Sequence, residues 1–205
     1  MAKNTLSKLK EKERHARQKV IIDAARSVFE KKTYDKVSMA EIAKTAGIAK
    51  SSIYTYFTSQ ESLYVEIAYL DASRFIKDLK KNTAKSDIHP LETTINFFLS
   101  YYIKHKAQWR MITHFALHGN HIQDSMEKLN DISRLLMDAF EEIIISTGYK
   151  GESRLLAHTL FSALSGILIA FRNYPGRSEK ERVAHMNRIG GQVREMMMTY
   201  VAESD

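Results

Sequence analysis

Apolar side chains recur at intervals of three and four along almost the whole chain. Between residue 14 and about residue 31, Ile21, Ala24, Ala25, Val28 and Phe29 share one face with charges opposite, the signature of an amphipathic helix. A polar break follows at residues 31–35. Ser38-Met39-Ala40-Glu41 matches a capping box and opens a short helix through Ile42 and Ala43 that stops near Gly47. A second short helix is predicted from about Lys50 to Phe57. Thr58-Ser59-Gln60-Glu61, a second capping box, opens a long helix to about Asn82. Beyond it, Leu91, Ile95, Phe98, Leu99 and Tyr102 form one stripe after His89-Pro90, where proline suits a first helical turn. A segment from about Gln108 to Leu117 breaks at Gly119-Asn120. Residues 122–146 place Ile122, Met126, Leu129, Leu136, Phe140 and Ile143 inward. Residues 152–173 are apolar nearly all round, and a helix apolar on every side must be covered on every side. The last helix, about Ser178 to Val201, shows Met186, Ile189, Val193, Met197 and Tyr200. The pattern predicts an all-α chain of about nine helices, with no internal repeat.

Composition agrees. Two prolines and eight glycines leave little punctuation for many short strands. With 205 residues, 44% hydrophobic and 27% charged, the chain is globular and long enough for one domain or two small ones. The absence of cysteine removes disulfides, thiolate zinc sites and thiol nucleophiles. The first residues lead into charges rather than an apolar run, and no stretch is expected to approach the roughly 18 apolar residues of a membrane span. A cytoplasmic protein without membrane contact is the expectation. No Gly-rich phosphate loop or nucleophile elbow points to an enzyme, and no cofactor is implied.

Charge changes the picture. Residues 1–57 hold 13 Lys/Arg and 6 Asp/Glu, whereas residues 58–205 hold 18 of each. The net charge of +7 therefore sits in the first quarter of the chain, which suggests a polyanion contact there. The division that follows is a basic arm, disordered in part, over residues 1–13, a DNA-binding domain over 14–57, and a second helical domain over 58–205. Two short helices joined by a Gly-containing turn in a basic segment have the pattern of a helix-turn-helix, whose second helix lies in the major groove.

The run from Ser38 to Ile67, with Ile42-Ala43, Ala46-Gly47 and Ile53-Tyr54-Thr55-Tyr56-Phe57 followed by a newly capped helix, resembles the signature of the TetR family of transcriptional regulators. Ile21-Ile22-Asp23-Ala24-Ala25 and Phe29 resemble that family's first helix. The resemblance covers roughly residues 14–67 and implies an N-terminal three-helix reader with a C-terminal helical domain that binds a small ligand and dimerises. It implies base-edge contacts from Lys50, Ser51, Ser52 and Thr55, and phosphate or flanking contacts from Tyr54 and Tyr56. Ser38 and Met39 lie where the family meets the DNA backbone, and an amide at a helix N-terminus is a natural phosphate donor. Two positions depart from the pattern. Ala49 stands where a Ser or Thr usually caps the recognition helix. Gln60 stands where a lysine usually meets phosphate, so a neutral hydrogen bond or none is expected there.

A single reader buries too little surface to be selective, so a homodimer on double-stranded DNA is expected. The last two helices are the best dimer candidate, through Ala163, Gly166, Ala170, Ile189, Gly190, Val193 and Met197. Gly190-Gly191 inside a helix costs on the order of 1 kcal/mol each against Ala, and close approach of a partner helix would offset it. Candidates for lining a pocket for a small, largely apolar effector are Phe98, Tyr102, His105, Trp109, Phe115, Phe140 and Phe171. His114, His118 and His121 share a helical face, but no further ligand completes a metal set. The resulting reading is a repressor that releases a palindromic operator when an effector binds and shifts the long fourth helix. A helical protein-interaction adaptor, an activator and a regulator without a ligand stay open.

Overall fold

The computed structural model describes the backbone of residues 2–118 and 123–203, and the side chains of residues 7–114 and 125–203. Every regular element among them is helical: α1 (Ala2–Lys31), a 3-10 turn (Tyr34–Lys36), α2 (Met39–Thr45), α3 (Lys50–Ile53), α4 (Gln60–Lys85), α5 (Pro90–Lys104), α6 (Lys106–His118), α7 (Gln123–Ser146), α8 (Ser153–Phe171) and α9 (Glu179–Ala202). The chain divides into two compact units, residues 1–69 with 118–128 and residues 70–117 with 129–205.

In the first unit, α1 packs on α2 and α2 on α3. Ile21, Ala25, Phe29, Ile42, Ala43, Ile53, Leu63 and Ile67 make the core. Tyr34 and Phe29 both pack edge-on against Tyr64, with ring centroids 4.8 and 4.7 Å away. α1 is one continuous helix, where the sequence pattern suggests an arm and then a helix. The chain before Lys31 has no proline or glycine to stop it. Pairs one turn apart, such as Arg17 with Glu13 at 2.7 Å, support its exposed face.

In the second unit, α5, α8 and α9 pack against one another. Phe75 of α4, Phe98 and Tyr102 of α5, Trp109 of α6 and Phe140 of α7 form a buried aromatic web, with neighbouring centroids 4.9–5.9 Å apart. Arg194 ties α9 to Glu92 of α5 at 2.8 Å, and Arg154 ties α8 to Asp138 and Glu141 of α7 at 2.6 and 3.0 Å.

The structure also departs from the sequence pattern in α7, α8 and α9. α8 is not covered all round. Leu155 and Ile169 are 61% and 54% exposed, and Thr159, Ser162, Gly166 and Ala170 share that open side. Between Arg154 and Arg172 run 17 uncharged residues, so α8 is long and apolar enough by composition to cross a membrane, contrary to the expectation that no stretch comes close. Its inner side nevertheless packs on α5 and α9. Met126, expected inward, faces solvent, as does Tyr200 of the last helix's apolar series.

Candidate nucleic-acid interface

Ser38 caps α2: its hydroxyl accepts from the amide of Glu41 at 3.2 Å. The return half of the expected box is missing, because the Glu41 carboxylate takes Lys32 Nζ at 2.6 Å instead. Ser38 is exposed, whereas the Met39 side chain is buried, so only the backbone of Met39 is available to a phosphate. The helix ends as the glycine predicts. Gly47 has φ +70°, the Ile48 amide donates to the Ala43 carbonyl at 3.0 Å, and the Gly47 amide donates to the Lys44 carbonyl at 3.2 Å. This is a Schellman ending, and it turns the chain within two residues so that α3 follows at once.

α3 is shorter than expected, running from Lys50 to Ile53. Its cap, Ala49, supplies no side-chain hydrogen bond. The next residues continue as tight turns, with the Tyr56 and Phe57 amides both donating to the Ile53 carbonyl at 3.0 Å. Ile53 and Phe57 are buried and pin this segment to the core. Lys50, Ser51, Ser52, Tyr54 and Thr55 are all exposed around it, and Tyr56 is half-buried. The structure thus gathers the sequence-predicted base-reading residues on one short stretch, anchored from beneath. Hydroxyls, a phenol and an ammonium offer donors and acceptors suited to base edges and phosphates.

Two residues change standing. Gln60 is occupied: its Nε2 donates to the Tyr34 carbonyl at 2.8 Å, joining α4 to the 3-10 turn. α4 is capped by Ser59 and Ser62 reciprocally, at 3.0 and 3.1 Å, one residue later than the expected box. Arg17 on α1 is a residue that sequence reasoning missed. Its guanidinium is held above its ordinary value first by Glu13 and then by Tyr56, which places a cation beside the recognition segment. The only signal in the sequence is the Glu13–Arg17 spacing; the approach to Tyr56 is tertiary.

The remaining predicted sites lie in the second unit. Phe98, Tyr102, Trp109 and Phe140 are interlocked in the aromatic web and fully or almost fully buried. The Tyr102 hydroxyl has no hydrogen-bond partner among the described residues, and burial pushes it well above its ordinary range, so it is a neutral phenol in an apolar setting. His105 packs against Tyr101 with ring centroids 4.4 Å apart, and burial, then Lys104, holds its imidazole below the usual value. Phe171 lies apart, in a cleft of about 430 Å³ with Tyr174, His185 and Arg188. The side chain of Phe115 lies outside the described residues, as do His121 and the side chain of His118, so the histidine triad falls largely there.

Of the dimer candidates, Gly166 and Ala170 are exposed on α8, and Ala163, Ile189 and Val193 are half-buried. Gly190 and Met197 are buried within the chain. A Cβ on Gly190 would stand 2.3 Å from Leu99 Cδ1, so the close approach that this glycine permits is to α5 of its own chain.

Residues 21–67 match the family model described as bacterial regulatory proteins, tetR family. The transcriptional regulator YfiR of Bacillus subtilis is 20% identical over 147 residues, which is 72% of this chain and 58% of that protein. The regulator QacR of Staphylococcus aureus is 24% identical over 136 residues, 64% of this chain and 71% of that protein. The chain thus spans less than two thirds of the length of YfiR and somewhat more of QacR. Among solved structures, the transcriptional regulator FadR from Bacillus subtilis in complex with stearoyl-CoA superimposes with a TM-score of 0.68 at 20% identity, covering 85% of this chain and 96% of that one. At that identity the likeness is one of fold.

Proposed function

We propose that this chain, which belongs to the TetR family of bacterial regulatory proteins and is a DNA-binding transcriptional regulator, acts as a homodimeric repressor released by a small, largely apolar effector. The observation that carries the DNA half is the exposed row Lys50, Ser51, Ser52, Tyr54 and Thr55, held rigid by the Schellman turn at Gly47 and by buried Ile53 and Phe57. It sits in the segment that holds the chain's whole excess of positive charge. A dimer presents two such segments to two half-sites, so the preferred operator is near-palindromic.

The effector half rests on the second unit. Its aromatic web holds a phenol with no partner among the described residues, and a relative of the same fold is known with stearoyl-CoA bound. Release requires that the effector bind more tightly to the conformation that does not hold the operator; a coupling of about 1–3 kcal/mol is enough.

The test is a fluorescence-anisotropy titration of the chain on duplex from its own promoter region, at fixed salt. Lys50→Ala with Tyr54→Ala should weaken specific binding by about 1–3 kcal/mol for each base edge that is no longer read. Binding to random duplex should fall much less. An equal fall on both duplexes would remove α3 from the role of reader.

A further inference from the structure

We infer that the cleft between α6, the end of α8 and the first turns of α9 is an oxyanion site, in which Arg172 anchors the carboxylate or phosphate group of the effector. This rests on the reading of the second unit as effector-binding and adds the chemical class of the ligand.

Four observations carry it. The first is charge. Lys106, Arg110, Arg172 and Arg182 line the cleft against one carboxylate, Glu179, in a stretch, residues 58–205, that as a whole is balanced at 18 charges of each sign. The second is the state of Arg172. Its Nη2 donates to the Tyr102 carbonyl at 2.7 Å, which fixes the guanidinium, but its Nε and Nη1 are buried with no hydrogen-bond partner among the described residues. Buried donors on a cation are the costliest to leave unspent, and they are rare unless something binds there. Burial, then the nearby Arg110, draws Arg172 down to about 10, so it remains a cation at neutral pH. An anion beside it would relieve both effects.

The third observation is size. The cleft holds about 150 Å³. That is roughly half the lower end of the 300–1,000 Å³ usual for a whole small-molecule ligand, and so suits a head group rather than an entire effector. The fourth is continuity. The carbonyl that orients Arg172 belongs to Tyr102, whose own buried ring packs among Phe75, Phe98 and Trp109. A head group at Arg172 therefore leaves its apolar tail next to the aromatic web. Glu179 is the built-in competitor, paired with Lys106 until an anion displaces it.

The experiment uses the full chain and four ten-carbon probes: decanoate, decyl phosphate, decanol and decyltrimethylammonium. Affinities are read by isothermal titration calorimetry. At least one anionic probe should bind about tenfold or more tightly than decanol, the range of a charge-assisted hydrogen bond. The ammonium should bind no better than decanol. The two anionic arms separate a carboxylate from a phosphate ligand. Arg172→Gln should abolish the preference over decanol. Because that change also frees the Tyr102 carbonyl, Arg110→Gln on the exposed rim is the second variant, and it should shrink the preference while the melting temperature stays unchanged. Decanol or the ammonium binding as tightly as the anions, or a preference that survives both variants, overturns the site. So does binding by none of the four. In each case, release of promoter duplex by some other apolar compound would leave the effector-released repressor standing. Failure of every compound to release the duplex would remove that reading as well.

Discussion

The side-chain amide of Gln60 is spent on the protein itself. Its donor bridges the first turn of α4 to the Tyr34 carbonyl, part-buried beside the Phe29–Tyr34–Tyr64 cluster. A lysine at that position would instead project a charge. The expected consequence is that Gln60 stabilises the fold and does little for the affinity for DNA. Gln60→Ala should lower the stability of the N-terminal unit by about 1 kcal/mol, the net worth of one hydrogen bond. The affinity for promoter duplex and the slope of its logarithm against log salt should stay as they were, whereas Lys50→Ala should lower that affinity by about 1–3 kcal/mol, the worth of one base edge. Denaturant melts and a salt series on the same two variants decide this; a change of slope for Gln60→Ala would return that residue to the DNA face. Position 60 also shows what sequence cannot say. The residue type announces hydrogen bonding, but its partner lies 26 residues away and is a backbone carbonyl, which no local pattern encodes. Met39 is a similar case: its place at a helix start is legible, and the burial of its side chain is not.

Helices are legible wherever one face meets a core, because a repeat near 3.6 residues leaves few other structures open. α4 through α9 accordingly begin and end within about two or three residues of the expected bounds, helped by Pro90 at a first turn and by the Ser178–Glu181 capping box of α9. The exceptions have physical causes. α1 runs through the basic arm because charged, uninterrupted sequence gives no apolar period to read and no breaker to stop on. α3 closes after one turn because Ala49 offers no cap and two serines favour turns over helix. The glycine pair in α9 looks like one signal in the sequence, but the two residues do different things. At Gly191 an added Cβ meets nothing within 4 Å, whereas at Gly190 it would stand 2.3 Å from Leu99 Cδ1. Gly191→Ala should therefore raise stability by up to about 1 kcal/mol through helix propensity. Gly190→Ala should lower it, because overpacking of about 1–3 kcal/mol exceeds that gain. Leu99→Ala, which empties the contested space, should show a favourable coupling with Gly190→Ala of about 0.5–3 kcal/mol in a double-mutant cycle. Additive effects would mean that α5 and α9 do not approach so closely.

The proposed pairing of two chains draws on what α8 leaves uncovered. Leu155, Thr159, Ser162, Gly166 and Ile169 recur at intervals of four and three along its open side, so they form one stripe. Met196 and Tyr200 of α9, 71% and 54% exposed, add apolar surface, and Leu155, Met196 and Tyr200 share one cleft of about 530 Å³. Sequence marks this region through an α8 too apolar to stand in water; the open stripe keeps it a candidate for pairing, whereas α5 of the same chain fills the space beside Gly190. Small residues at 162 and 166 allow a second α8 to approach closely, and the large ones at 155 and 169 gain most from being covered. A monomer must leave all of them in water. Ile169→Glu places a charge at the end of this stripe without touching the interior, so helical content by circular dichroism should be unchanged. Light scattering should then show the mass of a single chain where the unsubstituted protein shows two. Affinity for the promoter duplex should drop by about 10³-fold, the lower end of the ratio between specific and non-specific binding, because one reader is left to find one half-site. If Ile169→Glu stays dimeric and keeps its affinity, the paired readers are held together by some other face, and α8 is open to solvent for a different reason.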